Sequence, residues 1–421
     1  MVVAALAAKD CSENGWRSVM DALVEDSGDM VCEVSRIVSH EAEAAIRFAR
    51  PRYVAFVMKP EEITETVVRS IRRMMCRIDD DPFDDAIWGI VTGPTPEDAK
   101  RVALCSSPRD VTSVLATTGV GEDIVPGPVT VVSDANPPGE WWAKDSAGVV
   151  SRHSATGNTS SVFADAWDRQ DPDLLLTSSH ASERNLEMPF SRGNIVAYDG
   201  SFAVVENLTL IDYSTGQAVK RIEVPVAVRR LSSPRREKVW LAAGNCLIAN
   251  HKQDGDDMVM CALGFGRVNQ FVGYIKTTWF GEIGWNTWRY FGGYGFALNE
   301  SWYAANQVLI KKLKVDGSAK DENEWLGLEW DYDGTVFYGN PRRMVTVPGR
   351  TPGADSKDGD LPLLVVFPDS RPDRRLVSAP EGFEVFVADD FAFVTSWRDL
   401  PADWRARIIF SDGGAPVAMP K

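Results

Sequence analysis

Two segments of the chain share one form: an apolar run that stops at small residues and then presents a side chain capable of covalent or proton-transfer chemistry. They are Leu174-Leu175-Leu176-Thr177-Ser178-Ser179-His180 and Val239-Trp240-Leu241-Ala242-Ala243-Gly244-Asn245-Cys246. A thiol attacks as its thiolate and needs a base or an electropositive setting near neutral pH, which an imidazole a few ångströms away provides. If both runs are strands of a parallel sheet, each delivers its last residue to the carboxyl edge, where ligands of such sheets gather. The small residues before each leave room for a substrate backbone. Read from the residues alone, Cys246 better suits an unpaired cysteine packed beside a strand as a small hydrophobe.

Other chemistry-bearing residues have competing readings. His180, Cys246, His251 and Cys261 are zinc-ligand types without CxxC or HExxH spacing. Asp254-Gly255-Asp256-Asp257 is acidic but lacks the spaced ligands of an EF-hand loop, so neither a metal nor another cofactor is expected. Asp256 and Asp257 read more simply as the start of a helix, where carboxylates satisfy free N–H groups. Glu183 and Glu282 could select a basic side chain or solvate a loop. The aromatic cluster Trp279, Phe280, Trp285, Trp288, Tyr290 and Phe291 could line a groove or fill a core. Trp285 and Trp288 share one helical face, which favours packing for at least one of them.

The elements that must position these residues follow from hydrophobic period. Tyr53 to Met58 is a buried-strand run, and Pro60 to Cys76 has helical spacing at Ile63, Val67, Ile71 and Met74. Ala86 to Val91 and a helix from Pro96 to Leu104 repeat the pattern. This β-α-β-α order predicts an α/β protein with parallel-sheet units and helices on both faces. Residues 133–158, rich in Gly, Pro, Ser and Asp, read as a boundary or long loop. A second α/β unit takes strands at Leu174 to Thr177, Val239 to Ala242 and Val268 to Tyr274, with helices near Asp257 to Leu263 and Trp302 to Leu313. After Asn340-Pro341 come short strands at Met344 to Val347, Leu363 to Phe367, Glu384 to Val387, Phe391 to Thr395 and Ala406 to Phe410, the pattern of a small β-sandwich. The expected division is 1–145, an N-terminal α/β subdomain; 146–341, a catalytic α/β subdomain; and 342–421, an Ig-like β-sandwich.

Composition limits the partners. The 421 residues carry 60 acidic against 45 basic side chains, a formal charge of -15 that repels phosphate backbones and anionic lipid, so neither nucleic acid nor membrane is an expected partner. No run approaches the roughly 18 to 20 apolar residues that cross a bilayer. The six cysteines lack disulfide-scaffold spacing, and Met1 to Ala8 has no basic leader, so a cytoplasmic protein with free thiols is expected.

Thr177-Ser178-Ser179-His180-Ala181-Ser182-Glu183 together with Ala243-Gly244-Asn245-Cys246 resembles the paired motifs of gingipain-like cysteine peptidases, of the caspase clan. Gly273-Tyr274 through Trp279-Phe280-Gly281-Glu282 looks like the stretch that walls that family's primary specificity pocket, and Phe337-Tyr338-Gly339-Asn340-Pro341 like the segment that closes its catalytic unit. The likeness runs from about Arg52 to Pro341, and a β-sandwich after the catalytic unit is also a gingipain feature. The resemblance implies a caspase/gingipain-like fold and an endopeptidase using a Cys246/His180 dyad through an acyl-enzyme. It implies an oxyanion site at the amides of Ala181 and Cys246. Glu183 and Glu282, the acids beside the pocket motifs, suggest a basic P1 residue, and Trp279 and Phe280, just past a strand end, complete the expected substrate contacts. Family members carry Gly after the histidine; Ala181 keeps the N–H but would be strained at positive φ. Asp134 is one of several acids that could orient His180. The expected partners are a protein or peptide substrate and a regulatory protein, the alternative being an inactive caspase-like scaffold for protein–protein interaction.

Overall fold

The computed structural model describes residues 1–4, 15–28, 30–106, 109–133, 135–154, 159–189, 193–212, 220–253, 256–349, 362–366, 374–396, 407–412 and 416–418. The first α/β stretch runs β1 (Val2–Ala4), α1 (Trp16–Ser27), β2 (Val31–Glu33), α2 (His40–Ala49), β3 (Tyr53–Val57), α3 (Glu65–Met75), β4 (Ile87–Val91) and α4 (Pro96–Ala103). Local chemistry sets the helix starts: the Thr64 and Thr95 hydroxyls cap α3 and α4 by accepting from the Val67 and Asp98 amides. The strands are apolar runs, and every residue of β4 is buried.

The chain continues through β5 (Arg109–Asp110), β6 (Val114–Ala116), β7 (Val129–Val131), β8 (Glu140–Lys144), β9 (Val150–Ser154), α5 (Ser160–Gln170) and β10 (Leu174–Thr177). Next come β11 (Asn185–Glu187), β12 (Gly193–Tyr198), β13 (Ser201–Asp212), β14 (Lys220–Arg230), β15 (Lys238–Ala242), α6 (Met258–Leu263), β16 (Val268–Tyr274), α7 (Glu282–Trp288), α8 (Leu298–Ile310), α9 (Glu322–Asp331) and β17 (Thr335–Gly339). Among the described residues twelve strands form one sheet in the order β2-β1-β3-β4-β17-β16-β15-β10-β6-β7-β8-β9. It is parallel apart from β17 against β16 and the β7-β8-β9 edge. The expected parallel α/β architecture is thus present, as one continuous sheet that runs across residue 145.

The stretch 133–158 differs from the loop its composition suggests: β8 and β9 are an antiparallel hairpin that extends the sheet at one edge. Four of five β9 residues are exposed, so an edge strand bears a polar sequence that hides its period. The antiparallel β11-β12-β13-β14 sheet is a second addition to the expected strands.

The amino ends of β10 and β15 are sealed by charge. Lys238, fully buried, is ion-paired with Asp171 and donates to the Pro172 carbonyl at 2.9 Å. Asp171 also accepts from the amides of Arg235 and Arg236, each at 3.1 Å. Burial works to raise the Asp171 carboxyl, but the Lys238 hydrogen bond and charge outweigh it and the net direction is down.

Beyond β18 (Val345–Thr346), β19 (Leu363–Val366), β20 (Arg374–Ser378), β21 (Phe383–Val387), β22 (Phe391–Ser396), β23 (Ile409–Asp412) and β24 (Pro416–Ala418) make two three-stranded antiparallel sheets. Phe391 packs edge-on against Phe83 at 5.1 Å and Tyr303 at 6.1 Å, joining this C-terminal cluster to the α/β body.

Candidate active site

β10 and β15 are neighbours in the sheet, parallel, with Thr177 opposite Ala242. His180 follows three residues after Thr177 and Cys246 four after Ala242, so both leave the sheet at the same carboxyl edge. His180 is exposed and Cys246 half-buried. Their side chains make no hydrogen bond to each other among the described residues.

A residue absent from the expected site braces the two loops. Asn245, fully buried, accepts from the Thr177 hydroxyl at 2.6 Å through its amide oxygen. Its amide nitrogen donates to the Ser179 carbonyl at 2.8 Å and the Ser179 hydroxyl at 3.3 Å. Trp240 Nε1 donates to the same Thr177 hydroxyl at 2.8 Å. A buried amide with these partners fixes the loop before His180 against the residue before Cys246. The clue in the sequence is a polar residue between a buried strand and a thiol. Gly244 is needed for the same close approach, since a Cβ there would lie 2.4 Å from the Ser178 hydroxyl.

Leu247, directly after Cys246, has φ 59°, a left-handed conformation that costs a branched side chain of order 1 kcal/mol or more. It is held by the Leu247 amide donating to the Lys276 carbonyl at 3.1 Å. The Thr278 amide donates to the Cys246 sulfur at 3.4 Å. The segment 275–281 therefore sits directly against the nucleophile candidate.

Ala181 lies outside the residues with positive φ. It pairs across an antiparallel bridge with Leu186, flanked by bonds from the Glu187 amide to the His180 carbonyl and from the Ser182 amide to the Asn185 carbonyl, both 2.9 Å. Alanine thus fits where the strain of positive φ was the concern. Among the described residues neither the Ala181 amide nor the Cys246 amide meets an acceptor.

The four expected substrate contacts separate. Glu183 is committed to its own loop partners: its carboxylate accepts from Asn250 at 3.3 Å and pairs with Lys252 at 3.2 Å, while its carbonyl accepts from the Met258 amide at 2.7 Å. Glu282 opens α7 and accepts from the Asn286 amide at 3.2 Å, with no cation beside it among the described residues. Trp279 and Phe280 are 52% and 41% exposed, their rings 5.9 Å apart. Trp285 and Trp288 pack against the core.

The acids and metal-ligand types resolve as structure. Asp257 caps α6 by accepting from the Met260 amide at 2.8 Å and binds His251 Nδ1 at 2.6 Å. Asp256 accepts from the Gly200 amide at 3.0 Å. Burial pushes the Cys261 thiol up to about 12. Among the described residues no three His, Cys, Asp or Glu side chains gather as a metal would require. Asp134 and Asp254 lie outside the described residues. No described helix is long and apolar enough to cross a membrane.

No protein-family model matches the chain, and no curated protein matches it. Among solved structures it is similar to the complex of Porphyromonas gingivalis RgpB pro- and mature domains, at 10% identity and TM-score 0.46 over 99% of this chain and 98% of that one. It is also similar to the Arg-specific cysteine proteinase gingipain R (RgpB), at 10% identity and TM-score 0.47 over 99% and 96%. Likeness at that level leaves the functional reading to the chain's own geometry.

Proposed function

We propose that the chain is a cysteine endopeptidase. The observation that carries the reading is the Asn245 brace, which holds the loops bearing His180 and Cys246 together at the carboxyl edge of two adjacent parallel strands. Cys246 attacks the scissile carbonyl as a thiolate, His180 protonates the leaving amine, and water then hydrolyses the acyl-enzyme. The amides of Ala181 and Cys246, free of acceptors among the described residues, hold the oxyanion. Glu282 receives a basic P1 side chain beside Trp279 and Phe280. Glu183, neutralised by Lys252, shapes the histidine loop instead.

The test is a peptide library with varied P1, read by mass spectrometry, on the native chain and on Cys246→Ala and His180→Ala. Cleavage after Lys or Arg that disappears in both variants is expected. Turnover that survives Cys246→Ala sinks the dyad, and cleavage after Asp as fast as after Arg sinks the basic preference alone.

A further inference from the structure

The segment that touches Cys246 does not hold itself in place. From Ile275 to Glu282 it is gripped, contact after contact, by α9 and the turn after it. The Ile275 amide donates to the Gly334 carbonyl at 2.8 Å, and Lys276 Nζ pairs with Asp333 at 2.8 Å. Trp330 Nε1 donates to the Thr277 carbonyl at 2.6 Å. The Phe280 ring lies against Gly327, where a Cβ would come within 2.0 Å of it. Between these contacts stands Asp331, with none of its surface exposed. Its Oδ2 accepts from the Glu282 amide at 2.7 Å, the Trp279 amide bonds to the same carboxylate, and Oδ1 meets no donor among the described residues.

A buried carboxylate with no cation in contact is expensive to keep and is retained where its acceptors organise something. Lys276, whose charge acts on this carboxylate, is spent on Asp333, which Arg69 and Arg73 also reach at 2.9 and 2.8 Å. Glu282, at the start of α7, adds like charge, and Tyr274 lies close by on β16. What Asp331 organises is the segment whose Thr278 amide points at the Cys246 sulfur and whose Lys276 carbonyl holds Leu247 in its left-handed turn.

We propose that Asp331 is a positioning residue for the nucleophile: its ionised carboxylate, acting through the amides of Trp279 and Glu282, holds the segment 275–281 against Cys246. Ionised, it is a stronger acceptor than its neutral form, so protonation loosens the grip. Burial is the main influence on this carboxyl and, with the Glu282 charge, pushes it up to about 6 despite the two amide bonds. The grip thus weakens in mildly acid solution. The Thr278 amide fixes where the Cys246 sulfur stands, so the reactivity of Cys246 reports on the grip. The proposal builds on Cys246 as the reacting group but needs no peptidase activity for its test.

The experiment measures the rate of Cys246 alkylation by iodoacetamide, followed by the mass of its peptide, from pH 5 to 8. Native chain, Asp331→Asn and Trp330→Phe are compared, with circular dichroism reporting the fold. At pH 7.5 Asp331→Asn is expected to react roughly five-fold more slowly, the scale of one hydrogen bond's net contribution. The ratio of native to variant rates should close toward one as pH falls to 5. Trp330→Phe, which removes one indole N–H from an exposed side chain, should slow the reaction by a smaller factor that does not vary with pH. A constant rate ratio for Asp331→Asn across the range, or equal rates at pH 7.5 in the folded variant, overturns the proposal. Failure of peptide cleavage with this alkylation pattern intact would count against the peptidase reading and leave the positioning role standing.

Discussion

The two ends of the β10/β15 pair are built from opposite materials. At the amino end the polar groups are charged and closed on one another: Lys238 with Asp171, and Arg236 with Asp173 at 3.2 Å. At the carboxyl end the brace is a neutral amide, Asn245, with neutral partners, and two backbone N–H groups meet no acceptor among the described residues. Charge pairs buried in full are intolerant of losing one member, whereas a neutral amide fixes geometry without imposing a field on a reacting thiol and imidazole. The difference teaches where substitution should cost stability and where it should cost chemistry.

The largest effect is expected from Lys238→Ala, which takes from the Asp171 carboxylate its buried ammonium and leaves it only the amides and the more exposed guanidinium groups of Arg235 and Arg236. It should lower unfolding free energy by about 3–5 kcal/mol in urea titration, while the surviving folded fraction alkylates at Cys246 at the native rate. A variant that stays stable but loses Cys246 reactivity would erase the contrast between the ends. Asn245→Ala should be milder for the fold, about 1–3 kcal/mol for the stranded Thr177 and Ser179 groups, yet lower peptide turnover at least ten-fold, a factor worth about 1.4 kcal/mol. Equal losses in stability and turnover would mean that the brace is structural alone.

The smallest effect is read by pH. Asp171 is depressed in the fold, so its contribution is full above the unfolded value near 4 and is lost as pH falls through the lower folded value. Asp331 runs the other way. Its folded value of about 6 exceeds the unfolded one, so the stability it contributes is full below pH 4 and declines as pH rises through 6. Between pH 7 and pH 5 thermal unfolding should therefore show a gain of about 1 kcal/mol from Asp331, absent in Asp331→Asn. An identical pH slope in that variant would remove Asp331 from the account.

Much of this frame was legible in the sequence because its central strands are buried on both faces. Leu174–Thr177, Lys238–Ala242 and Val268–Tyr274 are buried at every position, and such runs announce themselves without a period. His180 and Cys246 were legible for the same reason, as chemically able residues at the ends of such runs. The β8-β9 hairpin was hidden because its outer strand faces solvent. Helix α9 was hidden because Trp325, Leu326 and Trp330 are 43%, 45% and 45% exposed and trace no apolar stripe toward the core. Asn245 and Asp331 were beyond reach for a further reason: a buried polar residue takes its meaning from partners distant in sequence, and those for Asp331 lie 49 residues away at Glu282.

Strand β17 stands between β4 and β16, so among the described strands it alone joins the two halves of the large sheet, through Tyr338 opposite Ile90 on one side and Phe271 on the other. During synthesis each half therefore waits with an unpaired apolar edge until residue 339 has left the ribosome. Helix α9 ends four residues before β17 begins, so the grip on the segment beside Cys246 is delivered in the same step that zips the halves together. A nascent chain cut short before that point carries the thiol but not its setting, which makes the reactive edge a late product of assembly.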